Sequence, residues 1–260
     1  MTLSLPPSLA DYVAGYRATL ITDGESGGIV HRLDTDGRPS LFLKQGAGRV
    51  AVDIADEYAR LRWLAGRWAV PQVVGYADTE AGAWLLTTAL PGRAAYGWLG
   101  DHPEQREVAV RSIAAFLRQL HAEPIDTCPF NAALPLRRAA AAANFETGLV
   151  DLDDLDPERE GWSGEQLWAH FESLLPLEAD PVVTHGDFSL DNIFLDADGA
   201  VTGCLDVGRV GVADRYQDLA ILWHSLREFG DDLADTMLAS YGVALDRKKI
   251  DLHLVLDEFF

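Results

Sequence analysis

The sequence predicts an α+β chain in two parts: a small β-rich N-terminal part to about residue 90, and a larger, mainly helical part over residues 91–260. Three observations predict it. Short apolar runs with turn punctuation fill the first ninety residues, apolar residues recur at helical spacing beyond Pro91, and a brief return to β pattern lies between Val182 and Val207. A chain of 260 residues is also near the ~250–300 residues at which single cores stop growing, which suits two closely packed lobes.

Each element follows from its local pattern. Asp23-Gly24-Glu25-Ser26-Gly27-Gly28 reads as a glycine-rich turn. Ile29–Leu33 and Leu41–Lys44 read as strands around the turn Asp34-Thr35-Asp36-Gly37. Ile54, Tyr58, Leu61 and Ala65 share one helical face in a segment closed off by Pro71. Trp84–Thr88 is a further strand, broken by Pro91-Gly92. Beyond it, Ala109, Ile113, Phe116, Leu117 and Leu120 form one apolar stripe and Tyr216, Leu219, Ala220, Trp223 and Leu226 another. The alanine-rich run Arg137–Asn144 favours helix by propensity. Val182–Thr184, Ile193–Leu195 and Cys204–Val207 read as short strands, an unusual hairpin set inside a helical lobe.

Composition narrows the function. Mean hydropathy is near zero and 48% of residues are hydrophobic, the balance of a globular chain. No window approaches the ~18 apolar residues of a membrane span, and Met1–Pro7 has neither the basic nor the apolar region of a secretory signal, so a cytoplasmic protein is expected. Cys128 and Cys204 stand far apart without metal-type spacing, so neither a disulfide framework nor a zinc site is indicated, and a monomer is the default. The net charge of −20 argues against binding nucleic acid over a broad phosphate surface. That charge is segregated, net −2 up to Leu90 and −18 beyond it. An acidic half concentrates cationic ligands, although solubility alone would also account for it.

The chemistry is carried by His185-Gly186-Asp187-Phe188-Ser189-Leu190-Asp191-Asn192, followed by Asp206-Val207-Gly208. The step from Asp187 to Asn192 equals that of the kinase pattern H-R-D-L-x-x-x-N, and the second Asp is expected to end a strand before glycine. Gly186 replaces the arginine that serves activation-loop control, and Ala213 lies only seven residues beyond Asp206, leaving no room for a regulated segment. Phosphoryl transfer needs a carboxylate at the acceptor hydroxyl, oxygen ligands for Mg²⁺ and cations for the phosphates. Asp187 supplies the first, Asn192 and Asp206 the second. Lys44 at the end of its strand would meet the α/β-phosphates, with Glu57 on the following helix holding the ammonium in place. The glycines between Asp23 and Gly28 let backbone N–H groups approach the phosphates. His185 reads as structural support for the catalytic loop.

With these residues in order, the chain resembles the aminoglycoside 3′-phosphotransferases, a family with the two-lobed protein-kinase-like fold. The likeness runs nearly end to end, through Val182–Asp187, through Asp206–Asp218 and into the C-terminal Leu256-Asp257-Glu258-Phe259-Phe260. The HGDxxxxN element alone would admit choline and macrolide kinases; the two later segments are more specific. The resemblance implies transfer of a γ-phosphoryl group to the 3′-hydroxyl of an aminoglycoside, with ATP as donor, GTP left open, and Mg²⁺. It implies that Phe42 stacks on the adenine, that Thr88, Ala89 and Leu90 form a hinge whose backbone bonds it, and that Ser26 lies over the β-phosphate. It assigns the cationic substrate to the carboxylates of Asp154, Asp156, Asp187, Glu228, Asp257, Glu258 and of Phe260 itself, with Arg209 among the substrate-binding residues. The run Asp151–Glu160 agrees, with six acids in ten residues offering charge-assisted acceptors to ammonium groups. Two positions depart from the family: Pro157, where relatives carry an acid, and His224, where they usually carry arginine.

Three rivals remain at this level. A related small-molecule kinase acting on a macrolide or amino sugar shares the core but does not explain the acidic half and terminal Asp-Glu-Phe-Phe. A non-enzymatic pseudokinase would be expected to lack one of Lys44, Asp187, Asn192 and Asp206, and all are present. A protein kinase would need an activation segment.

Overall fold

The structure, a computed structural model, describes residues 5–22 and 27–260. Ser26 and most of the expected glycine-rich turn lie outside the described residues. The chain divides into two compact units, one of residues 1–93, 193–198 and 202–209, the other of residues 94–192, 199–201 and 210–260.

In order, the first segment carries α1 (Pro7–Val13), β1 (Arg17–Ile21), β2 (Ile29–Asp34), β3 (Leu41–Gly46), α2 (Arg49–Leu64), β4 (Val73–Thr79) and β5 (Gly82–Thr88). Then follow β6 (Arg93–Ala94), α3 (Ala95–Asp101), α4 (Arg106–Leu120), α5 (Leu134–Glu146), α6 (Gly164–Ser173), β7 (Pro181–Thr184), β8 (Ile193–Leu195), β9 (Val201–Cys204), β10 (Gly211–Asp214), α7 (Tyr216–Arg227), α8 (Asp231–Tyr241) and α9 (Arg247–Asp257).

Among the described residues of the first unit, five strands form an antiparallel sheet in the order β1-β2-β3-β5-β4. The period-two alternation of β3 sorts its side chains. Leu41 and Leu43 enter a core with Leu33 and Leu86, while Phe42 and Lys44 take the other face. Helix α2 packs on the sheet through Ile54, Leu61 and Leu64. Glycine is required at position 46 because a Cβ there would run into the Val50 side chain at the start of α2. That close approach sets the helix over β3 and thereby fixes where Glu57 stands.

Two expectations need correction. The last strand of the β set does not cover Cys204–Val207: β9 ends at Cys204, Asp206 adopts φ +51°, and Val207–Arg209 form a 3₁₀ turn. A left-handed residue cannot continue a ladder, so the chain turns at Asp206 and does not end a strand there. Nor do the β segments form one set inside a helical lobe. β8 and most of β9 group with the first unit, where Cys204 N–H donates to Ala69 O at 3.0 Å and the Thr202 hydroxyl to Pro91 O at 2.6 Å.

In the second unit β7 and β10 pair antiparallel, with Thr184 opposite Gly211. Helix α4 buries Ala109, Ile113, Leu117 and Leu120, with Phe116 half-buried. Every residue from Tyr216 to Trp223 on α7 is buried, since α8 and α9 pack against it. A separate cluster joins α5, α6 and α9 through Ala141, Leu167, Phe171, Leu252, Val255, Leu256 and Phe259. Each fully buried large side chain there contributes about 1.5–3 kcal/mol. Helix α6 starts in a capping box, Ser163 Oγ accepting from Gln166 N–H and Gln166 Oε1 from Ser163 N–H.

Candidate active site

In the first unit, Lys44 Nζ donates to Glu57 Oε2 at 2.8 Å and to Asp206 Oδ1 at 3.0 Å. Glu57 thus holds the ammonium as expected, and Asp206, 162 positions from Lys44 in sequence, joins the pair. Burial works against the ammonium, but the charges of Glu57 and Asp206 outweigh it and raise its pKa. Burial also pushes the Glu57 carboxyl up against the pull of Lys44; the short contact makes the charged pair the form that holds. Asp206 is the only non-glycine residue at positive φ among the described residues, and its side chain is 53% exposed. Such local strain persists where surrounding structure imposes it, and it aims this carboxylate outward past the ammonium. Phe42 is half-buried on the Lys44 face of β3, between Arg32 and Thr87 on the flanking strands. Thr88 N–H donates to Gln72 O at 2.9 Å and Ala89 N–H to Ser40 O at 3.2 Å, so both donors are used inside the unit. Arg209 closes the 3₁₀ turn after Asp206.

In the second unit the His185–Asn192 loop hangs on buried groups. Phe188 and Leu190 are fully buried. Asn192 Nδ2 donates to Asp187 O at 3.0 Å, and Asp187 N–H reaches His185 Nδ1 at 3.3 Å. His185, fully buried, supports the loop as expected. The residue at position 186 needs glycine, since φ is +93° there. Beneath the loop lies Asp218, fully buried on α7, a position to which the sequence alone assigns no role. Its carboxylate accepts from His185 N–H and Gly186 N–H, both at 2.7 Å, and from His121 Nε2 at 2.9 Å. Burial alone would raise its pKa; the bonds and charge from His121 and the Gly186 N–H reverse this and lower it. His121 Nδ1 in turn meets the Tyr241 hydroxyl at 2.7 Å, which also accepts from Arg215 Nη1 at 3.0 Å. The single acid in the apolar run of α7 was the signal for this anchor.

The acids expected to hold the substrate all belong to this second unit, and most are already engaged there. Asp154 is exposed. Glu228 accepts from the Tyr96 hydroxyl at 2.8 Å. Asp257 pairs with Arg137 Nη2 at 3.1 Å, and the same guanidinium lies 4.8 Å from the centre of the Phe260 ring and donates to Gly186 O at 3.4 Å. Asp156 meets Arg159 Nη2 at 3.2 Å and His224 Nδ1 at 3.3 Å; Glu258 accepts from Arg159 Nε at 2.7 Å. Pro157 opens a 3₁₀ turn in which Asp156 Oδ1 accepts from Glu158 N–H. Arg227 is taken up by Asp231 and Glu158. Neither Arg137 nor Arg159 was singled out from sequence, although a lone arginine inside an acidic run is a readable signal.

Among the described residues no three His, Cys, Asp or Glu side chains converge as a metal cage. A Mg²⁺ ion does not need one, because it takes one or two protein oxygens together with substrate phosphates. Asn192, whose Nδ2 donates to Asp187 O in the second unit, and Asp206, with its exposed carboxylate in the first, each carry a side-chain oxygen of the kind Mg²⁺ takes.

Strand-borne Lys44, helical Glu57 and the His185–Asn192 loop over a buried aspartate define a two-lobed kinase-like phosphotransferase. The chain belongs to the phosphotransferase enzyme family, whose model matches residues 17–253. It is 49% identical to an aminoglycoside 3′-phosphotransferase of Escherichia coli over 99% of this chain and 95% of that one. It is 38% identical to one from Streptomyces fradiae, with 92% and 94% covered. The crystal structure of an aminoglycoside 3′-phosphotransferase of type VIII superposes with a TM-score of 0.85 at 38% identity, covering 97% of this chain and 98% of that one. A 3″-phosphotransferase from Streptomyces rimosus, solved with ADP and streptomycin, gives 0.83 at 30% identity over 97% and 96%. No helix among the described residues is long and apolar enough to cross a membrane.

Proposed function

We propose that this chain is an ATP-dependent aminoglycoside 3′-phosphotransferase that confers resistance by phosphorylating kanamycin- and neomycin-type antibiotics. The observation that carries the phosphoryl-transfer reading is the Lys44 ammonium held between Glu57 and the strained, outward Asp206. The contacts to Glu57 and Asp206 use two of the ammonium's three donors, and the cation suits the α/β-phosphates. Phe42 offers its ring to the adenine. Because Thr88 and Ala89 spend their N–H groups within the protein, the base is met by the remaining backbone groups of the Thr88–Leu90 segment. Ser26, outside the described residues, is assigned to the β-phosphate on the resemblance alone. Asn192 and Asp206 would hold Mg²⁺, which neutralises phosphate charge when bound.

Asp187 orients the acceptor hydroxyl and takes its proton as the new O–P bond forms and the bond from the γ-phosphorus to ADP breaks. Asp218 keeps that loop in place through two backbone N–H groups. The ammonium groups of the antibiotic are met by Asp154, Asp156, Glu228, Asp257, Glu258 and the Phe260 carboxylate, and Arg209 serves as a further substrate-binding residue. A net charge of −20 supports a cationic small substrate and no nucleic acid partner. The enzyme works as a monomer in the cytoplasm, where ATP is available. Relatives at 46–49% identity that are named aminoglycoside 3′-phosphotransferase support the acceptor position.

The test is ADP release from ATP and Mg²⁺ with kanamycin, beside tobramycin, which lacks the 3′-hydroxyl, and streptomycin. Release with kanamycin alone is expected. Equal release with tobramycin would overturn the acceptor position, and release with streptomycin alone would favour 3″-transfer, as in the 33%-identical streptomycin 3″-kinase of Streptomyces griseus.

A further inference from the structure

The guanidinium of Arg159 is the centre of a buried ionic cluster that the reaction chemistry does not use. Its side chain is only 4% exposed. Nε donates to Glu258 Oε1 at 2.7 Å, Nη2 to Asp156 Oδ2 at 3.2 Å, and Nη1 faces Asp251 Oδ1 at 3.6 Å. The two segments are also tied directly, since the Asp156 backbone N–H donates to Glu258 Oε1 at 3.2 Å. One planar fork therefore joins the loop after Leu155 to the turn that ends α9.

We infer that Arg159 is a positioning and specificity-determining residue for the aminoglycoside, acting through Asp156 and Glu258. This rests on the reading that those two carboxylates receive substrate ammonium groups. Buried so deeply, two carboxylates three residues from the cation on one side and in the C-terminal turn on the other would repel without it. The arginine holds them together and brings the −2 of the Asp156 and Glu258 carboxylates to −1. The subsite then recognises one ammonium and not two, and its oxygens are fixed before substrate arrives. Preorganisation of this kind shows in binding of the acceptor, not of the nucleotide. Lysine keeps the charge but not the fork that spans three carboxylates, so it restores only part of the effect.

The test is steady-state kinetics with kanamycin and ATP on Arg159→Gln, Arg159→Lys, Glu258→Gln and the Arg159→Gln/Glu258→Gln pair, each checked for cooperative thermal unfolding. Arg159→Gln is expected to raise the kanamycin KM about tenfold or more, the equivalent of losing one well-placed ionic contact. The ATP KM stays within twofold, and Arg159→Lys falls between wild type and Arg159→Gln. Because Arg159 acts through Glu258, the pair exceeds the larger single effect by no more than twofold. An unchanged kanamycin KM in Arg159→Gln with a raised one in Glu258→Gln would overturn this inference and spare the substrate assignment. Parallel rises in both KM values, or single effects that multiply in the pair, would also overturn it. An unchanged KM in Glu258→Gln would remove the assignment itself and the inference with it. Should Arg159→Gln fail to fold, Arg159→Lys decides: a kanamycin KM raised at least threefold at constant ATP KM supports the inference, and wild-type values for both overturn it.

Discussion

Asp218→Asn isolates the support of the catalytic loop from its chemistry. Three donors converge on the carboxylate: the N–H groups of His185 and Gly186 and the His121 ring. An amide of the same size offers one oxygen, and its NH₂ must face at least one of those donors. A buried donor left without an acceptor costs about 1–3 kcal/mol, and loss of charge assistance in the bonds that remain adds roughly 1 kcal/mol. A destabilisation near 3 kcal/mol follows, visible in urea as a midpoint lowered by about 1 M at constant slope. Turnover falls by more than tenfold because Asp187 rides on the loop, while the ATP KM holds because Asp218 touches no nucleotide residue. The substitution also changes the acid limb of stability. The Asp218 pKa is lowered in the folded protein, so its contribution is present above the ordinary carboxylate range and lost as pH falls through the folded value. The Asp218→Asn variant should lack that loss. Tyr241→Phe, one bond further out at His121 Nδ1, should cost about 1 kcal/mol and spare turnover. Wild-type stability and kcat in Asp218→Asn would refute the reasoning.

Other changes separate the remaining roles. Asp187→Asn should abolish phosphoryl transfer while calorimetry shows ATP binding nearly intact; retained turnover would refute Asp187 as the base. Lys44→Met should raise the ATP KM by an order of magnitude and leave the kanamycin KM alone, since both partners of Lys44 lie in the first unit. His253 is buried, and its two ring nitrogens have no hydrogen-bond partner among the described residues. Burial, reinforced by Arg137 and Lys249 and opposed by Asp214, lowers its pKa from 6.5 to about 4. A pKa depressed on folding means the unfolded chain binds the proton first, so stability should fall by up to ~1.4 kcal/mol per unit as pH drops from 6.5 towards 4. His253→Leu should flatten that slope in urea titrations at pH 5 and 7.

The sequence made the candidate site residues legible because their environments repeat in short patterns. Lys44 lies on an alternating strand, which runs two residues further to Gly46 than the pattern suggests, Glu57 sits on a periodic helix, and Asp187 to Asn192 keeps a fixed spacing. Residues acting through burial were harder to read. Asp218 and Arg159 look like ordinary surface charges until the packing of α7 and the C-terminal turn encloses them. Strand β1 escaped notice because its side chains are mostly exposed, so no alternation marks it. β4 is half-buried from Val73 to Tyr76, buried only at Ala77 and exposed at its end, with a register shift between Val73 and Gly75. The apolar Leu205 and Val207 extend the β pattern past Cys204, and only the left-handed Asp206 between them shows why the strand stops.

The C-terminus shows how the fold constrains a functional test. Removing Phe259 and Phe260 together looks like the direct way to delete the terminal carboxylate, but Phe259 is fully buried. Its ring meets Trp168 and Phe145 edge-on at 5.5 and 6.5 Å, and its carbonyl accepts from the buried Asn144 Nδ2 at 2.7 Å. Losing that ring alone costs about 3–5 kcal/mol, so any rise in KM would be confounded with loosening of α5, α6 and α9. Phe260, by contrast, is 42% exposed. Deleting Phe260 keeps one terminal carboxylate but draws it back by one residue, about 3.5 Å. Phe260→Ala keeps the carboxylate in place and removes only the ring under Arg137. If the charge binds the aminoglycoside, the deletion raises the kanamycin KM about tenfold, the alanine variant stays within threefold, and neither moves the ATP KM. Equal effects from both would assign the contact to the ring and its arginine.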